Sequence, residues 1–218
     1  MANLYISDLH LGHANIIKMD NRPFSDVDEM NQKIIENWNN KVKPGDHVFI
    51  LGDFCWGKEE DWLGFLKQMK GSKTLIRGNH DLKQYSSKLK RHFQDIKDYK
   101  VIKDNGRNVI LCHYPIPFHK SDYNPNFYML YGHVHKTREY DAMKMIRKWA
   151  TITCENSGDC RGNYINVGCM LPWMNYMPRT LDEIIENETE LGNKDERIDS
   201  VADKVLKKYL PAFKELAK

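Results

Sequence analysis

The chain has no apolar run long enough to cross a bilayer, no basic segment followed by an apolar stretch at its start, no Cys-x-x-Cys pair and little net charge. Each shortage removes a class of protein. A membrane-spanning helix needs roughly 20 consecutive apolar residues, and none are present. Met1-Ala2-Asn3 leads directly into a strand-like run, so no secretory signal is expected and a cytoplasmic address follows. Five cysteines, an odd number, suit reduced thiols in a reducing compartment. Cys154 and Cys160 could pair or hold a metal, but no further ligands complete a zinc set around them. A formal charge of +3 is too small to imply a polynucleotide footprint, and the basic residues are scattered among acids. Nucleic acid is therefore the less favoured partner, and no membrane partner is expected. With 41% hydrophobic residues in 218, the chain can still bury a large core.

Local periodicity supplies the elements of that core. Ser25-Asp26-Val27-Asp28 reads as a helix start, and Val27, Met30, Ile34 and Trp38 recur at helical spacing until Lys43-Pro44-Gly45 closes the segment. A second helix is expected from about Glu59 to Lys70, with Trp62, Phe65, Leu66 and Met69 inward, followed by a strand from Thr74 to Ile76. This β-α-β-α-β order implies parallel strands with helical crossovers. Tyr99 to Lys103 and Asn108 to Cys112, around Asp104-Asn105-Gly106, read instead as a hairpin. Near the C-terminus a short helix is expected over Leu181 to Glu188. After a polar break at Gly192-Asn193 comes a helical pattern through Ile198, Val201, Val205, Leu206 and Tyr209, which Pro211 bends or ends. The expected organisation is one domain over residues 1–180 with a C-terminal helical extension over 181–218.

The residues able to do chemistry sit just after strand-like runs. Asp8-Leu9-His10 follows Leu4-Tyr5-Ile6, Gly52-Asp53 follows Val48 to Leu51, and Gly78-Asn79-His80-Asp81 follows Leu75-Ile76. His113 follows Val109 to Leu111, and Gly132-His133-Val134-His135 follows Phe127 to Leu130. In α/β sheets ligands bind at the carboxyl ends of strands, so five such ends point to one pocket. Imidazole nitrogen mixed with carboxylate and amide oxygen, without thiolate, favours Mn, Fe, Co, Ni or Zn over Ca or Mg. Asp53 has two carboxylate oxygens with which to bridge a pair of cations, and two metals roughly 3.5 to 4 Å apart can clamp the attacking and leaving oxygens of a phosphoryl displacement.

From Tyr5 to His135, with a weaker echo in Ile165-Asn166-Val167-Gly168, the chain resembles the calcineurin-like metallophosphoesterase family. That family's pattern is Asp-x-His, Gly-Asp, Gly-Asn-His-Asp/Glu, a distant His and Gly-His-x-His. The resemblance implies a four-layered α/β sandwich, two packed mixed β-sheets flanked by helices. It also implies two divalent transition-metal ions, with manganese the first choice. Asp8, His10 and His135 would hold one, Asn79, His113 and His133 the other, and Asp53 both. A metal-activated hydroxide would then attack the phosphorus of a small phosphodiester or phosphomonoester. The resemblance gives His80 the role of protonating the leaving oxygen or stabilising the transition state, with Asp81 accepting a hydrogen bond from its imidazole.

Several other residues have weaker claims. His13, in the loop after the first motif, is a candidate substrate contact. Arg22 could grip a phosphate oxygen with its guanidinium fork, although an exposed structural arginine accounts for it more simply. His47, His92 and His119 lack any such context and are read as surface or packing residues. The proline-broken segment from Tyr114 to Asn126 is placed to form a pocket wall, and at least two of Tyr114, Phe118 and Tyr123 are expected to pack it against the core. A nuclease and a non-catalytic protein-interaction platform remain the competing functions.

Overall fold

A computed structural model describes residues 1–122, 124–155 and 162–192. In chain order the elements are β1 (Asn3–Ile6), α1 (Ala14–Met19), α2 (Val27–Lys41), β2 (His47–Ile50), α3 (Glu59–Leu66), β3 (Ser72–Ile76), α4 (Ser87–Lys90), β4 (Asp95–Lys97), β5 (Tyr99–Asp104), β6 (Arg107–Cys112), β7 (Phe127–Tyr131), α5 (Arg138–Glu155), β8 (Tyr164–Asn166) and α6 (Leu181–Gly192). The strands form two four-stranded sheets, ordered β1-β2-β3-β4 and β5-β6-β7-β8. The first sheet is parallel throughout. In the second, β5 and β6 are antiparallel and the other pairs parallel, so the mixing of strand directions lies there.

The local signals account for the element ends. Asp26 caps α2 by accepting the Glu29 amide at 2.8 Å, and Met30, Ile34 and Trp38 form its buried stripe. α3 stops at Leu66 rather than Lys70 because Asn39 of α2 captures the backbone beyond it. Its amide donates to the Gln68 carbonyl at 2.7 Å, and its carbonyl oxygen accepts the Lys70 N–H at 2.9 Å. At the β5–β6 turn Asn105 and Gly106 take φ of 49° and 79°, the paired positive angles that a two-residue hairpin loop requires.

Sequential strand order with right-handed crossovers puts α2 and α3 on one face of the first sheet and leaves the other face for the second sheet. The buried side chains agree with that layering. Val109, Leu111, Leu130, Ile165 and Val167 pack in one core with Leu4, Ile6, Val48, Ile50, Leu75, Trp38 and Trp62. Their alternates on the second sheet, Ile110, Cys112, Met129, Tyr131 and Tyr164, face a smaller cluster with Met143 of α5. The result is helix, sheet, sheet, helix, the four layers that the resemblance implied. A seam joins the two sheets: the Ser7 amide donates to Val167 O and the Cys169 amide to Ser7 O, both at 2.9 Å.

The extension expected from residue 181 begins as α6, whose Leu181 and Ile184 are buried in the larger core. Residues 193–218, with the pattern from Ile198 to Tyr209 and with Pro211, lie outside the described residues, as do Tyr123, Cys160 and the side chain of Cys154. No helix among the described residues is long and apolar enough to cross a membrane. The aromatic side chains of the 114–126 segment that are described do not pack inward as expected: Tyr114 and Phe118 are both exposed. The prolines break the segment at the surface, where these rings stay largely in water.

Candidate metal centre

The strand-end motifs converge. Asp8, His10, Asp53, His113, His133 and His135 come from the loops after β1, β2, β6 and β7, with Asn79 and His80 contributed after β3. Asp8, His10, Asp53, His133 and His135 all have positive φ, between 43° and 69°. Left-handed backbone is uncommon for residues with side chains and is sustained only where the surroundings fix it, often at functional sites. His133 and His135 therefore project from a turn after β7 rather than from a regular strand.

The glycines of the motifs allow the loops to approach one another. A Cβ on Gly78 would sit 2.6 Å from the Asp53 amide nitrogen and against its carboxylate. One on Gly132 would overlap Ser7 Oγ and lie 2.5 Å from Asp8 Oδ2. The acids are locked in turn. Ser7 Oγ donates to Asp8 Oδ2 at 2.8 Å, and the His133 amide lies 3.1 and 3.2 Å from the two Asp8 oxygens.

On one side, Asp8, His10, Asp53 and His135 each offer a ligand atom, all within 4.8 Å of one another. His10 Nε2 and His135 Nε2 face each other at 3.4 Å, and His135 Nε2 is 3.6 Å from Asp8 Oδ1. The other nitrogen of His135 donates to Asp20 Oδ1 at 2.7 Å, which fixes the tautomer and leaves Nε2 turned inward. On the other side, His113 Nδ1 donates to Leu51 O at 2.8 Å, while Nε2 reaches Asn79 Oδ1 at 2.9 Å. The His133 ring stands 5.1 Å from the His113 ring, centroid to centroid. Asp53 Oδ2 lies between the two halves, 3.6 Å from His10 Nε2 and 3.5 Å from His113 Nε2. Its other oxygen is taken by the His80 amide at 2.9 Å. One carboxylate oxygen thus faces both sides, whereas the sequence suggested that each oxygen would serve one.

The electrostatics divide the two halves. Burial pushes the His10 pKa down to about 3, with His135 and Arg22 adding to the effect and Asp53 opposing it, so its Nε2 lone pair is available. Burial also works against a charge on His113, but hydrogen bonding and charge from Asp53, with Asp8 and the Leu51 carbonyl, outweigh it and hold the pKa up to about 9. Burial would raise Asp53, yet His113, His10 and the His80 amide bring it down to about 2. The two nitrogen donors and two carboxylates of the first side fit a divalent transition cation.

His80 is exposed at the lip, its ring 5.6 Å from that of His10. Asp81 is not its hydrogen-bond partner. Buried Asp81 accepts the amides of Gly78, Phe54 and Asp53 at 2.7, 2.9 and 3.1 Å, fastening the β2 and β3 loops together, and burial pushes its pKa up to about 6. Arg22 is buried rather than free for phosphate. Its fork donates to the carbonyls of Asp8 and Leu9, both at 2.9 Å, and to Asp20 Oδ2 at 2.9 and 3.0 Å. His13 stacks on Trp56, ring centroids 4.2 Å apart and 11° from parallel, with Nδ1 buried and lacking a hydrogen-bond partner. His47 is a packing residue bonded to Ser72 and Thr74.

Two contributors were not foreseen. Asp20, just past α1, joins His135 to Arg22, and no local pattern separates it from an ordinary surface acid. Trp56, three residues before α3, could have been noticed only as a large aromatic in a loop.

An uncharacterised protein of Methanocaldococcus jannaschii is 35% identical over 193 residues, 85% of this chain and 91% of that protein. The gene 66 protein of Mycobacterium phage D29 is 34% identical over 132 residues, 53% of this chain and 65% of the phage protein. The crystal structure of a protein of unknown function from Aquifex aeolicus superposes with a TM-score of 0.59 at 28% identity, over 85% of this chain and 98% of that one. The sequence pattern of the calcineurin-like phosphoesterases matches residues 3–168, the span that builds both sheets and every loop of the centre, and on that match the chain belongs to this family.

Proposed function

We propose that the chain is a metal-dependent hydrolase of small phosphate esters, with diesters preferred, and that it works through two divalent cations. Asp8, His10 and His135 would hold one cation, Asn79, His113 and His133 the other, and Asp53 both. The observation that carries this reading is Asp53 Oδ2, within 3.6 Å of imidazole nitrogens from both halves. When bound, such a pair of cations, manganese first among the candidates, lowers the pKa of water and offsets the charge of a phosphate. The chain's own part is to hold the ligands and manage protons. Neutral Asn79 supplies an oxygen without adding negative charge, which keeps the centre attractive to an anion. Asp20 and the Leu51 carbonyl fix the Nδ1–H tautomers of His135 and His113. His80, exposed and with its backbone amide on Asp53, is placed to give a proton to the departing oxygen. Buried free thiols at Cys55, Cys112 and Cys169 suit work in the reducing cytoplasm.

The test is hydrolysis of 4-nitrophenyl mono- and diesters by protein stripped with chelator and then reloaded with Mn²⁺, Zn²⁺, Co²⁺ or Ni²⁺. The stripped form should be inactive and at least one reloaded form active. Inactivity of every form on both ester classes would favour an interaction platform built on the same fold.

A further inference from the structure

Trp56 and Tyr114 are among the few large apolar side chains that the described residues leave in water, at 46% and 45% exposed. Each stands beside one half of the metal centre. The Trp56 ring lies 4.2 Å from His13 and 5.2 Å from His80, while Tyr114 meets His133 edge-on at 4.6 Å and His113 at 5.1 Å. A packing role would bury these rings, and neither is buried. His13 covers one face of the indole in a near-parallel stack, so its exposure belongs to the rest of the ring. That stack sets the indole next to the groups that would receive a phosphate.

We propose that Trp56 is a stacking platform for a nucleobase, which makes the substrate a nucleotide-type phosphate ester. This deepens the phosphoesterase reading and rests on it. A base has a flat apolar face and is tied to its phosphate through a sugar. An ester bound at the centre can therefore lay its base on the open side of the indole, whereas an alkyl ester would leave that surface wet. Tyr114 offers a second ring on the far half, where the other arm of a diester would lie. Stacking of this kind tolerates any base, because every base has a π-face. The preference it creates is for planarity, with little discrimination among the four bases.

The experiment compares ligands that differ only by the base. Thymidine 5′-monophosphate and 2-deoxyribose 5-phosphate are titrated into metal-loaded wild type, Trp56→Ala and Trp56→Phe, with binding followed calorimetrically. Wild type should prefer the nucleotide by roughly 5- to 150-fold, the usual worth of one stacked base. The preference should fall to about twofold or less in Trp56→Ala and survive in part in Trp56→Phe. Equal binding of both ligands by wild type, or an undiminished preference in Trp56→Ala, overturns the proposal. A parallel assay uses thymidine 5′-(4-nitrophenyl) phosphate against methyl 4-nitrophenyl phosphate, which share a leaving group. The ratio of their kcat/KM values should drop on Trp56→Ala by the factor seen in binding. Base-dependent binding without hydrolysis of either ester would sink the hydrolase reading and keep the platform, and hydrolysis without base preference would do the reverse. Free nucleotides and strands are separated with oligothymidylates: affinity that levels off at the dinucleotide marks a small substrate, and affinity that climbs with length marks a single strand.

Discussion

Asp20 gives the sharpest test of how the ligands are held. Its Oδ1 accepts the Nδ1–H of His135 at 2.7 Å, and its Oδ2 accepts Arg22 Nε and Nη2 at 3.0 and 2.9 Å. The Arg22 and Asp20 side chains are only 0% and 6% exposed, so the carboxylate both orients His135 and neutralises a buried cation. Asp20→Asn keeps the shape and removes the charge. Loss of a carboxylate behind a ligating histidine typically weakens metal binding about 10- to 100-fold, or about 1.4 to 2.8 kcal/mol. Leaving Arg22 without its counter-ion adds a stability cost below the roughly 3 to 5 kcal/mol seen when a buried partner is deleted, because the asparagine oxygen still accepts one bond. Metal affinity would be read by competition with a chromophoric chelator, and stability by urea unfolding of the stripped protein. If Asp20 acts through His135, adding Asp20→Asn to His135→Ala should weaken binding no further. Wild-type affinity in Asp20→Asn, or a full additional loss in the double variant, would refute the positioning role.

Three further outcomes follow from the same geometry. His80→Ala should keep its metal, since the backbone and not the ring holds Asp53, while kcat falls by about 10² to 10⁴. The loss should be smallest for 4-nitrophenyl esters, which need little protonation, and a uniform loss across leaving groups would point to charge stabilisation instead. Gly132→Ala should cost about 1 to 3 kcal/mol and weaken metal binding, because the new methyl group overlaps Ser7 and crowds Asp8; unchanged affinity in a chelator competition would contradict the close approach. His47 is held neutral, its pKa lowered by burial, with both ring nitrogens bonded to Ser72 and Thr74 at 2.7 and 2.9 Å. Since the unfolded chain takes up its proton near pH 6.5 and the folded chain only below that, the contribution is complete above about 6.5 and is lost as pH falls. His47→Gln should therefore flatten the acid-side decline of the urea midpoint in stripped protein, and an unchanged slope would count against it.

The residues that showed in the sequence are those whose chemistry is carried by local pattern. The Asn105-Gly106 turn needs two positive φ angles, and α2 needs its cap and stripe, so both could be read from adjacent positions. The candidate metal motifs were legible because each sets a donor just after a strand-like run, three of the five with a glycine beside it. Asp81 was misread because its partners are backbone amides of two loops, one of them 27 and 28 residues away in sequence. Arg22 likewise spends its fork on carbonyls of the first motif, a contact made by the fold of α1 and not by any spacing. β4 escaped notice because three residues, none fully buried, leave no apolar period to detect.

Shared ligation by Asp53 is the centre of the account, and metal content measures it most directly. Elemental analysis of the wild-type chain should find two transition-metal ions per protein. In Asp53→Asn, which removes the charge lying 3.6 and 3.5 Å from the two imidazole nitrogens, metal should be lost and ester hydrolysis should fall to background. Two ions per chain with normal turnover in Asp53→Asn would contradict it.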